Sequence, residues 1–268
     1  LLGNIATMPM ANTGILFPEL FRAFLAEHEH PSPALKSVYT ILLTMIVLAE
    51  AVSEGDLELG TQLVEALVSI GLSDSDYRTL TQDLLELMDR QSAVSTLPWA
   101  LDIAEILAVY PSPDPEARLR VAVAVLQSAR SYGHRLDSGH IHLLRALCRD
   151  YDTAFPEDLA EMPAAATQQV DRLSGRHVGI YTLTDQAGSR VAALLTELFP
   201  SVRVDVNNDH VCTPRLAALA KNADVFVFAS RSSKHQAYYC VKSHRGSDRP
   251  LLHPLGKGSA SILRAVLG

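Results

Sequence analysis

Two periods divide the chain. From Pro18 to about Val170, apolar positions return at helical spacing, three and four residues apart. From His177 onward, short apolar runs alternate with longer helical stretches. The first pattern predicts an all-helical region. The second predicts strands joined by helices.

In the first region, Pro18 opens a short helix and Pro31-Ser32-Pro33 breaks it. Ala34 to Glu54 reads as one long central helix, apolar around most of its circumference and ended by Gly55-Asp56. Gly71 sits where a helix cap belongs, and Ser73, Asp114 or Pro115, and Asp137 start later helices. Leu97–Tyr110 is a further helix. The pitch of roughly 20 residues per helix suits a helical-hairpin stack or a bundle, without a tetratricopeptide signature. Pro156–Ala166 reads as a connector with partial helix, a last short helix runs to Leu173, and Ser174-Gly175-Arg176 marks the boundary.

The second region contains four strand–helix units in about 90 residues, which imply a parallel sheet with right-handed crossovers. The strands are HVGIYT, SVRVDV, ADVFVFA and PLLHP. The expected order is 2-1-3-4, as in small flavodoxin-like sheets. The fourth strand, opened by Pro250, is expected at an edge. The fold class is therefore α plus α/β. A helical scaffold domain spans residues 1–173, and a small Rossmann-like domain spans 176–268. So small a sheet is expected to dock on the helical domain or on a second copy.

Charge adds an asymmetry. Residues from Arg176 on carry 12 Lys and Arg against 6 Asp and Glu, leaving 11 against 24 for residues 1–175. An acidic half joined to a basic half suggests different partners, or halves that attract each other. The longest apolar run, Ile41 to Val52, is broken by Thr44 and Glu50 and is too short to span a membrane. Cys148, Cys212 and Cys240 are odd in number and unpatterned. They are expected as free thiols in a reducing compartment, with neither a disulfide framework nor a cysteine zinc site. No signal peptide stands out, so a cytoplasmic location is expected, and a start at Leu1 leaves room for a longer parent chain.

Several features of the last third resemble the uncharacterised Rossmann-like family known as domain of unknown function 2325. They are Ala223-Asp224 before an apolar strand, Ser232, Ser233 and His235 at a helix start, and Lys242 later in that helix. Gly258, Ser259 and Ser261 open the last helix, which ends Leu263 to Ala265, and Asn207-Asn208-Asp209 follows the second strand. Lys234 stands where the family pattern expects Ser. The resemblance implies a fold and a pocket and no reaction.

In an open parallel sheet, ligands lie beyond the carboxyl ends of the strands, at the switch point. The expected ligand-binding residues are Thr182, Thr184, Asp185 and Gln186 after the first strand, and Asn207, Asn208 and Asp209 after the second. Ser230, Arg231, Ser232, Ser233, Lys234 and His235 follow the third strand, and Lys257, Gly258 and Ser259 open the last helix. Hydroxyls and cations beside helix starts suit an anion, although turns and caps use the same residue types. Neither a Walker loop nor G-x-G-x-x-G is present.

Other chemistries are less well supported. Ser233, His235 and Asp185 or Asp209 assemble on paper as a nucleophilic trio, but 10 histidines make such trios easy to find. Asp205, Asp209 and His210 are the local metal candidates, while His140 and His142, two apart, do not share a helix face. Lys234, Lys242, Arg245, Arg249 and Lys257, with Tyr238 and Tyr239, outline a rim for nucleic acid. The expected function is non-catalytic binding or sensing of a small anionic ligand such as a nucleotide, with the helical domain as partner scaffold. No cofactor is assigned, and a protein partner or a homo-oligomer is expected. The alternatives are a nucleic-acid-binding component of a larger complex and a hydrolase of a nucleotide-like substrate.

Overall fold

The structure, a computed structural model, describes residues 31–160, 173–229, 235–246, 248–254 and 256–267. The helix opened by Pro18 and the segment 161–172 lie outside the described residues. By compactness, 31–92 and Ile103–Val125 form one unit, and Ala93–Asp102 with the described residues from Leu126 on form another.

The first unit is helical, as its period requires. Helix α1 (Lys36–Leu48) buries Tyr39, Leu42, Leu43, Ile46 and Val47, a single stripe at three- and four-residue spacing. It ends sooner than the apolar pattern suggests, because Ser53 caps the next helix, α2 (Glu54–Ile70). Ser53 Oγ accepts the Asp56 N–H at 3.2 Å, and Asp56 Oδ2 accepts the Ser53 N–H at 2.8 Å. This capping box makes Gly55-Asp56 the first turn of α2 rather than the end of α1. Gly71 closes α2 at φ +83°, and Ser73 caps α3 (Asp74–Arg90). Arg90 then reaches back to the carbonyls of Val47 and Ala49, meeting acceptors left over at the end of α1. Helix α4 spans Leu97–Val109 and α5 spans Pro115–Ser131, of which residues 103–109 and 115–125 belong to this unit, with Asp114 Oδ1 accepting the Ala117 N–H at 2.9 Å.

The second unit contains α6 (Ser138–Asp150), the short α7 (Glu157–Ala160) and the sheet. The strand–helix series is β1 (His177–Tyr181), α8 (Asp185–Leu198), β2 (Arg203–Asn207), α9 (Pro214–Asn222), β3 (Val225–Phe228), α10 (His235–His244), β4 (Leu251–Leu252) and α11 (Ser259–Leu267). All pairings are parallel and the order is β2-β1-β3-β4, with β4 at an edge. Helices α9 and α10 pack on each other, and α8 and α11 on each other, with α6 against both of the latter. On the α9–α10 side the core holds Tyr181, Phe226 and Phe228 against Leu216, Leu219, Ala237 and Val241. Strand alternation turns Ile180 and Val227 to the other side. The chain therefore leaves β1 toward one face and β3 toward the other, which makes the β1–β3 gap the topological switch point.

Gly188 shows how closely α8 sits on the sheet. A Cβ there would stand 2.8 Å from Val206 Cγ1 and 2.9 Å from Thr182 Cγ2. Both neighbours are β-branched and stiff at χ1. Gly188→Ala is expected to destabilise by about 1–3 kcal/mol, because the overlap outweighs the gain of up to about 1 kcal/mol in helix propensity. A urea midpoint at or above wild type would refute this.

The expectation of three free thiols is corrected here. Cys212, in the loop after β2, is joined by a disulfide to Cys240 on α10, and Cys148 is free and buried. The partners are 28 residues apart with no signature spacing. Only the packing of α9 against α10 brings them together. Among the described residues no helix is long and apolar enough to cross a membrane.

Candidate ligand site at the carboxyl edge of the sheet

Strands β1, β2 and β3 end in register at Tyr181, Asn207 and Phe228. Their exit loops therefore start side by side. Thr182 is fully buried; its N–H donates to the Asn207 carbonyl at 3.1 Å, and its Oγ1 accepts the Thr184 N–H at 3.1 Å. Asp185 begins α8 and accepts from Asn208 Nδ2 at 2.6 Å, while Gln186 is exposed. The buried Asn207 side chain donates to Asp209 Oδ2 at 2.8 Å and accepts the Asp209 N–H at 3.0 Å. Tyr181 donates its hydroxyl to the Asp209 carbonyl at 3.0 Å.

The Asp209 carboxylate also accepts the Thr213 hydroxyl. The Thr213 bond, then the Asn207 bond, holds its carboxyl below the usual range against a smaller opposing push from burial. Thr213 Oγ1 in turn accepts the Leu216 N–H and caps α9. Thr182, Thr184, Asp185, Asn207, Asn208 and Asp209 are thus brought into one network. Its two carboxylates make this part of the rim acidic, and it serves largely to fasten the β1 and β2 exits together.

At the start of α11 the geometry suits an anion, and an anion of the chain's own stands there. Asp102, 1% exposed, accepts the N–H groups of Ala260 at 3.1 Å and Ser261 at 3.3 Å, and also the Ser261 hydroxyl. This is the ordinary attraction of a carboxylate to a helix start, supplied from 158 residues earlier. Gly258 lies so close to Asp102 that a side chain there would overlap the carboxylate. Ser259 is buried and Lys257 half-buried. Asp102 escaped the sequence reading, although a lone acid among Leu97-Pro98-Trp99-Ala100-Leu101 was a signal for it.

Ser230, Arg231, Ser232, Ser233 and Lys234 lie outside the described residues. His235 opens α10 by its backbone, and its side chain is likewise outside.

The third exit contributes aromatic rings. Tyr181 and Phe228 stack at 4.6 Å with planes 10° apart. Tyr238 on α10 meets Phe228 edge-on at 5.4 Å, and Tyr239 meets Tyr238 at 5.8 Å. His253, after β4, lies 6.3 Å from both Phe228 and Tyr238. Lys242 Nζ sits 5.9 Å above the Tyr238 ring. This ladder runs from the buried switch point to Tyr239, which is 65% exposed. Tyr181, Phe228 and His253 went unnoticed in the sequence, although the last residue of each inner strand is a natural place to look.

The basic rim is only partly realised. Arg245 is buried and bonds the carbonyls of Ala220, Ala223, Asp224 and Pro250, at the amino ends of β3 and β4. Arg249 donates to the Lys221 carbonyl at 2.7 Å. Both belong to the opposite end of the sheet from the exit loops. Asp205 faces His177 and Arg203, each at 2.8 Å, apart from Asp209. His140 pairs with Asp137 at 2.8 Å and His142 with Glu197 at 3.3 Å. A separate cleft of about 370 Å³ lies between α6 and α11, with Arg135, His140 and Arg264 around Leu263 and Leu267.

The family model described as DpdD-like matches residues 4–265, nearly the whole chain. This overturns the resemblance to domain of unknown function 2325, which rested on short features of the last third. Those features have structural work in this fold: Asp224 accepts the His177 N–H at 2.9 Å, and Ser261 bonds Asp102. No curated protein and no solved structure matches the chain.

Proposed function

We propose that this chain, which belongs to the DpdD-like family, is a non-catalytic binding or sensing protein for a small anionic ligand of nucleotide type. The parallel-sheet region takes the ligand, and the helical region before it serves as scaffold for a partner. One observation carries the reading: the aromatic ladder from Tyr181 to Tyr239 at the switch point, with the Lys242 ammonium beside it. The ring left exposed at the end of that ladder, Tyr239, can accept a flat heteroaromatic base, and a flanking cation complements phosphate. The self-contained Asp185–Asn208 and Asp209–Thr213 contacts favour binding over catalysis, because these carboxylates are already engaged.

Calorimetry with purine mononucleotides tests it. Base–aromatic stacking contributes about 1–3 kcal/mol per base, so Tyr239→Ala is expected to weaken binding roughly 5- to 150-fold. Arg135→Ala, in the other cleft, is expected to leave binding unchanged. No mononucleotide binding by wild type, or equal binding by Y239A, would sink the proposal.

The exposed Tyr239 also favours a second reading, a surface for single-stranded nucleic acid. That reading predicts oligonucleotide affinity that falls steeply with salt. The mononucleotide reading predicts saturation by a single nucleotide with weaker salt dependence.

A further inference from the structure

Cys240 and His244 stand one turn apart on α10, and Cys212 meets them from the loop after β2. The ligand-capable atoms of these three residues all lie within 4.8 Å of one another. His244 Nδ1 is 3.9 Å from Cys240 Sγ. A tetrahedral zinc ion, with bonds of about 2.3 Å to sulfur and about 2.0–2.1 Å to nitrogen, sets its sulfur and nitrogen ligands roughly 3.6 Å apart. The backbone thus already holds a sulfur and an imidazole near the required separation. Cys212 and His244 are exposed, which gives an ion and a reductant access, and Cys240 is buried behind them.

We infer that Cys212, Cys240 and His244 form a three-ligand site for a thiophilic divalent cation such as Zn²⁺, open when the disulfide is reduced and closed when it forms. The steps balance with an external thiol as reductant. A thiolate attacks the exposed Cys212 sulfur, the Sγ–Sγ bond breaks, and Cys240 leaves as a thiol. A second external thiol releases Cys212 and departs as the reductant's own disulfide. Zn²⁺ then displaces the two thiol protons to solvent. It takes a neutral imidazole nitrogen of His244, whose Nδ1 gives up its 2.8 Å contact with the Cys240 carbonyl while the ring proton resides on Nε2. Water fills the fourth position. Oxidation of the two thiolates by a disulfide oxidant reverses the sequence and expels the ion. The site is independent of the nucleotide reading.

The test uses the full chain, reduced with a phosphine that is then removed, and titrated with Zn²⁺ against a chromophoric chelator. One tight equivalent is expected for reduced wild type and none for the oxidised protein. Losing a ligand is expected to cost at least the roughly 10- to 100-fold typical of losing an outer-shell partner, so C212S and H244A should bind at least that much more weakly. Co²⁺ in place of Zn²⁺ should give thiolate-to-metal charge-transfer absorption in reduced wild type and a markedly weaker band in C212S, which keeps one thiolate. Cys212 is exposed, so C212S is the variant that keeps its fold, and circular dichroism verifies this for each sample. Equal Zn²⁺ affinity in reduced wild type and C212S overturns the assignment, as does a folded reduced protein without the cobalt band.

Discussion

Replacing Asp102 with alanine should cost the sheet-bearing unit about 3–5 kcal/mol. The carboxylate is buried and accepts two backbone N–H groups and a hydroxyl at the start of α11. Alanine would leave these donors facing a dry hole. Each buried donor without a partner costs about 1–3 kcal/mol, which is why the expected loss exceeds that of an ordinary exposed cap. Asn retains one acceptor oxygen and forfeits the charge, so Asp102→Asn should fall between. Urea denaturation read at a fixed slope distinguishes these outcomes. A D102A midpoint close to wild type would mean that the helix start finds water instead.

Arg245→Met should be comparably severe, again about 3–5 kcal/mol. The guanidinium is 6% exposed and donates to Pro250 at 2.9 Å, Ala223 and Asp224 at 3.1 Å and Ala220 at 3.2 Å. It also lies 5.5 Å over the Phe226 ring. Burial, with the charge of Arg249, pulls its proton affinity below the ordinary arginine value, and Asp224 and Asp248 oppose this. The group stays charged in any accessible pH range. Arg245→Lys should rescue little, because one ammonium cannot span carbonyls that a planar fork reaches together. Hydrogen exchange should show β3 and β4 losing protection before α1 and α2. Uniform loss across both units would contradict the local role.

Much of the architecture could be read from one-dimensional pattern. The switch from helical spacing to alternation at His177 locates the sheet. Apolar runs in β1 and β3 mark the inner strands, and Pro250 marks the edge. Caps were legible where the capping residue is local, as with Ser73 and Asp137. The end of α1 was not, because a capping box centred on Ser53 outweighed an apolar run that continues past it. The site was harder to see. Thr182 and Asn207 to Asp209 do follow the ends of β1 and β2, yet Asn207 and Asp209 spend their hydrogen bonds on each other and on Thr213. Long-range partners leave no trace in local composition. Asp102 at α11, Cys212 beside Cys240, and the four carbonyls around Arg245 each depend on topology. The basic rim mistook a structural cation for a surface one, since charge alone does not reveal depth.

The Asp102–α11 contact also bears on how the chain is made. Between Asp102 and Ala260 a ribosome must add 158 residues. At about 5–20 residues per second that takes roughly 8 to 30 s. Throughout that interval the carboxylate lacks the α11 N–H groups and hydroxyl that it meets in the folded chain. A nascent chain arrested short of Ala260 leaves that contact unmade, and it should be a form readily seized by chaperones and proteases.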